Sequence, residues 1–121
     1  MTIATPRIAL PGYPAHFASV SILDPLQHDT LDNLSYWVRE RGMRGLRLFT
    51  TTETEGTWLD DPRTFPVWER ASSLGIPICI MALFHQLPRV RSVLERFPTV
   101  SVALDHLAVP RLSDGPPYDG A

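Results

Sequence analysis

The chain has 121 residues, 44% hydrophobic and 20% charged, with a formal net charge of -2, the makeup expected of a soluble globular domain with one modest core. No block of like charge runs along it, so neither a nucleic-acid partner nor an acidic membrane surface is indicated. All eleven basic residues are arginines, which excludes a lysine Schiff base, a lysine general base and a lysine-bridged two-metal site within these residues.

No apolar run reaches bilayer length, and MTIATPRIALPGYP is interrupted by prolines before it can form a signal-peptide segment; the expectation is a cytoplasmic protein. FASVSILDP (Phe17–Pro25) predicts a strand closed by an Asp-Pro turn. HDTLDNLSYWVRERG follows as a helix, with Leu31, Leu34, Trp37 and Val38 on one face, Asp29 as N-cap and Gly42 past the last turn. GLRLF (Gly45–Phe49) predicts a strand, and TTTETEGTWLDD a long polar working loop. DPRTFPVWERASSLG predicts a helix capped by Asp61, with Pro62 in its first turn, a stripe of Phe65, Trp68, Ala71 and Leu74, and Gly75 at its end. IPICIMAL (Ile76–Leu83) reads as a strand buried on both faces, with the lone Cys79 in the core. LPRVRSVLERFP gives a third helix stopped by Pro98, and VALDHLAVP (Val102–Pro110) a fourth strand, begun near Val100, that ends on an acid and an imidazole.

The order β-α-β-α-β-α-β implies parallel strands joined by crossovers, either half of a (β/α)8 barrel or a small open doubly wound sheet. In both, functional groups gather at the C-terminal strand ends. Those ends hold Asp24, Arg47 with Thr50 to Thr52, His85, and Asp105 with His106. His106 suits metal binding, carbonyl polarisation or proton relay, with Asp105 fixing the backbone around it; alternatively both only satisfy loop backbone groups. Arg47, charged in the middle of an apolar strand, suits clamping a substrate carboxylate, or pairing with Glu69 or Asp105. His85 reads as a ligand or as part of the loop entering a helix, and His16 and His28 as surface residues. There is no phosphate-binding loop and no G-x-G-x-x-G, so nucleotide binding and a flavodoxin-like module lack support.

YPAHFASVSILDP, WVRERGMRGLRLF, DDPRTFPVWERASSLGIPI and LPRVRSVLERFPTVSVALDHLAVP together resemble the amidohydrolase-related proteins. More narrowly, they are similar to the TIM-barrel hydrolases that include sugar-acid lactonases and pyrone-dicarboxylate lactonase. The resemblance implies a partial (β/α)8 barrel of about four parallel strands and three helices, with residues 1–121 as one domain truncated at both ends. It implies hydrolysis of a lactone or similar carbonyl by an activated water, on a small anionic substrate. His106 would be the catalytic histidine, a metal ligand in metal-dependent members and a carbonyl-polarising group in the others. Arg47 would meet the anionic substrate, and His85 stands where some sister groups place a metal-binding histidine. The cofactor expected is one divalent metal such as zinc, or none. The family's His-x-His pair and last-strand aspartate are expected outside these residues, and Ala108 stands where glycine is more usual. The alternative expectation is a non-catalytic half-barrel that associates with itself through open sheet edges.

Overall fold

The computed structural model describes residues 16–50 and 55–116. Among these residues four parallel strands, β1 (Val20–Ile22), β2 (Gly45–Phe49), β3 (Ile78–Met81) and β4 (Val102–Leu104), pair in chain order in one unclosed sheet. They are connected through three helices, α1 (Thr30–Arg39), α2 (Phe65–Leu74) and α3 (Leu87–Arg96).

Period-two alternation decides where the core sits. Leu46, Leu48, Ile78 and Ile80 are buried together with Leu34 of α1, Val67, Trp68 and Ala71 of α2, and Val90 and Val93 of α3. All three helices therefore cover the same sheet face. A doubly wound sheet would place helices on both faces and reverse its strand order, so the winding is that of part of a (β/α)8 barrel. The intervening residues Arg47, Phe49, Cys79 and Met81 are only half-buried, on the other face. The expectation that β3 is buried on both sides is corrected accordingly, and Cys79 lies outside the core cluster.

Helix boundaries follow from proline chemistry. A proline without an N–H is tolerated only in a helix's first turn, and both Pro66 and Pro88 occupy that place. The single helix expected from Asp61 is consequently split into a 3-10 turn (Pro62–Thr64) and α2, and α3 is likewise preceded by a 3-10 turn (Phe84–Gln86). Asp61 caps as expected, accepting from the Arg63 N–H at 2.9 Å, and the Arg63 guanidinium holds its carboxyl below the usual range. Asp29 stands at the N-cap of α1 but makes no side-chain cap bond; the Thr30 hydroxyl instead donates to the Asp24 carbonyl. Trp68, fully buried, stacks on Phe97 at 6.4 Å between ring centres. No helix among the described residues is long and apolar enough to cross a membrane.

A buried amide fastens the strand ends together. Gln86 accepts from the Thr50 hydroxyl at 2.5 Å and the Leu83 N–H at 2.8 Å, and donates to the Thr50 carbonyl at 3.3 Å. Gly56, at φ +58, lies against it, so close that an added Cβ would stand 3.0 Å from the Gln86 amide nitrogen. Gly75, at φ +68, has nothing within 4 Å of that position. Gly75→Ala is thus expected to cost about 1–2 kcal/mol from backbone strain alone, and Gly56→Ala distinctly more because the amide network must also shift. Urea denaturation of the two variants checks this, and equal losses would mean that the network gives way freely.

Candidate functional site on the open sheet face

The uncovered face carries a row of register partners, Ile22, Arg47, Cys79 and Ala103, one from each of the four strands. Phe49 and Met81 form the next row toward the C-terminal ends. Arg47 reaches across β3 so that its Nε donates to Asp105 Oδ2 at 2.7 Å. Its Nη2 lies 3.9 Å from the Met81 sulfur, and its guanidinium stands 4.7 Å from the centre of the Phe49 ring. Of the two partners open from the sequence, Asp105 is the one that pairs; Glu69 is exposed on α2. The Arg47 side chain is 33% exposed and Asp105 22%, so the pair is partly buried and only partly screened by solvent.

Directly after Asp105 the backbone turns left-handed through His106, Leu107, Ala108 and Val109, at φ between 50 and 61. Side-chain-bearing residues adopt this region at a cost, so the turn is strained. Ala108, buried here at φ +61, shows why glycine suits that position: it lacks the Cβ that is penalised. His106 is exposed at the strand-end rim, and its carbonyl accepts from the Val109 N–H at 2.9 Å. His85 is exposed in the 3-10 turn that leads into α3.

The remaining strand-end residues have structural tasks. The Asp24 carboxylate accepts from the Leu26 N–H at 2.9 Å and closes the Asp-Pro turn. Thr50 is buried in the Gln86 network, and Thr51 and Thr52 lie outside the described residues. His16 and His28 are exposed. Gln86 and Arg89 are what sequence reading missed: Arg89 donates to the Glu55 carbonyl and to Asp60, both at 2.9 Å, anchoring the loop after β2 to α3. The available signal was a glutamine immediately before a helix start, beside the more conspicuous His85.

Among the described residues no group of three or more His, Cys, Asp and Glu side chains is placed to hold a metal ion.

Helices on one face and parallel strands in chain order define a portion of a (β/α)8 barrel. The amidohydrolase family profile matches residues 8–120, and the chain belongs to that family. No curated protein matches it.

Burial pushes the Cys79 thiol above its ordinary pKa, the Asp105 charge raises it further, and the Arg47 charge opposes both. Arg47→Met should raise the thiol pKa further, because the thiolate loses its cation. Asp105→Asn should lower it. The pH dependence of alkylation at Cys79 reads both signs, and a thiol indifferent to either change would place the pair too far away to matter.

Proposed function

We propose that residues 1–121 form one partial barrel domain from the middle of a longer amidohydrolase-family hydrolase, acting on a small lactone or similar carbonyl compound that carries a carboxylate. The observation that carries this reading is Arg47: a permanent cation pinned on the open face by Asp105 and Phe49, beside the strand-end rim where His106 is exposed. Arg47 would bind the substrate carboxylate through paired N–H donors. Held there, the scissile carbonyl would lie toward the rim, where the His106 imidazole donates a hydrogen bond to its oxygen as charge develops in the attack of water. The carboxylate that takes the proton from water would come from outside these residues, as would the donors needed for any metal.

In a longer chain that carries this segment within a complete barrel, His106→Ala should lower turnover by about 10²–10⁴-fold. A loss within about tenfold would remove His106 from the chemistry. Arg47→Met should raise KM for an anionic substrate far more than for its neutral ester, and equal effects would make the arginine structural.

A second reading is favoured by the edges of the sheet. Val20 on β1 is 44% exposed and Leu104 on β4 is 42% exposed, each on a strand with one side unpaired among the described residues. The occupant that fits is a second copy: β4 of one beside β1 of the other, at both seams, brings together the eight parallel strands that a closed barrel needs. Light scattering on the 121-residue chain should then give a dimer, and a monomer at all concentrations would dismiss this reading.

A further inference from the structure

The acid and the imidazole at the end of β4 have separate destinations: His106 is exposed at the rim, whereas Asp105 turns back onto the open face and meets Arg47 from a position 58 residues away in the chain. A guanidinium carries five N–H donors. Nε is taken by Asp105, Nη2 has the weak contact with the Met81 sulfur, and Phe49 covers the ring-side face. The end-on edge formed by Nη1 and Nη2 is the part that no carboxylate holds among the described residues, on a side chain one-third exposed. An arginine already fixed in direction loses less freedom when it binds an anion than one free to swing.

We propose that Asp105 is a positioning residue for substrate binding: by accepting from Arg47 Nε it fixes the guanidinium across β3 with the Nη1–Nη2 edge outward, where it receives a carboxylate end-on. This rests on the reading of Arg47 as an anion clamp. It makes an expectation opposite in sign to simple electrostatics. Coulomb attraction alone predicts that removing a carboxylate beside a cation strengthens anion binding, whereas positioning predicts that it weakens it.

The molecule contains its own reporter for the test. Cys79 is the only cysteine, is half-buried on the same face, and is the register partner of Arg47. The probe is benzoate, with benzamide as a neutral molecule of the same shape, and the readout is the rate at which neutral methyl methanethiosulfonate modifies Cys79 in the full chain. Benzoate should slow the reaction, benzamide should not, and Arg47→Met should abolish the benzoate effect. Asp105→Ala should raise the benzoate concentration for half-protection roughly tenfold, the effect of a lost charge-assisted hydrogen bond. Asp105→Asn, whose amide oxygen still accepts from Nε, should stay within about threefold of the parent.

Equal or tighter benzoate protection in Asp105→Ala overturns the positioning role and leaves the Arg47 clamp standing. Protection absent from the parent chain, or surviving Arg47→Met, overturns the clamp and the positioning role together. An asparagine variant as weak as the alanine one overturns the Nε hydrogen bond as the device. Tryptophan fluorescence shows which variants are folded; if Asp105→Ala is not, Asp105→Ser, too short to reach Nε, takes its place with the same expected weakening.

Discussion

One-sided burial governs this molecule. Each strand directs alternate residues to opposite faces, and all three helices converge on one of them, so every second position of β2 and β3 is committed to the core and its neighbours are left to face outward. An arginine at position 47 is tolerable only because of that division. Shifted by one residue it would point into the cluster of Leu46, Leu48, Ile78 and Ile80, where an unpaired charge would be prohibitively costly. On the open face it finds a carboxylate, a thioether and an aromatic ring.

The same division accounts for the two polar clusters at the strand ends. On the helix side, Gln86, Thr50 and the close approach at Gly56 tie the loop after β2 to the end of β3 by buried hydrogen bonds, each of which is expensive to leave unmade. On the open side, Arg47 and Asp105 form a partly buried pair, Nε donating to Oδ2 at 2.7 Å. The left-handed run from His106 to Val109 adds strain at the point where the chain leaves β4, a common place for a binding rim.

Family membership and architecture agree at the level of a hydrolase-type barrel portion. What lies beyond that rests on local chemistry. On the open face stands a permanently charged cation, anchored by its Nε and carrying further N–H donors. Metal chemistry would require donors that the described residues do not gather.

The sequence by itself determined the elements and their order, because hydrophobic period and punctuating residues are local properties. GLRLF appears as the strand expected from it, the three helices follow their apolar stripes, and Gly75 and Pro98 stop helices where they stand. Local pattern also marked Arg47 within a strand and His85, Asp105 and His106 after strands, since each interrupts or ends an apolar run. Only the tertiary structure decided which of these meet. The choice of Asp105 over Glu69 depends on strand register between β2, β3 and β4, which is set by packing across the whole sheet. The half-exposure of Cys79 and Met81 was illegible for the same reason: an apolar run has no period that tells one covered face from two. Gln86 was missed because its bonds to Thr50 join residues 36 apart, and spacing along the chain does not show that these two meet.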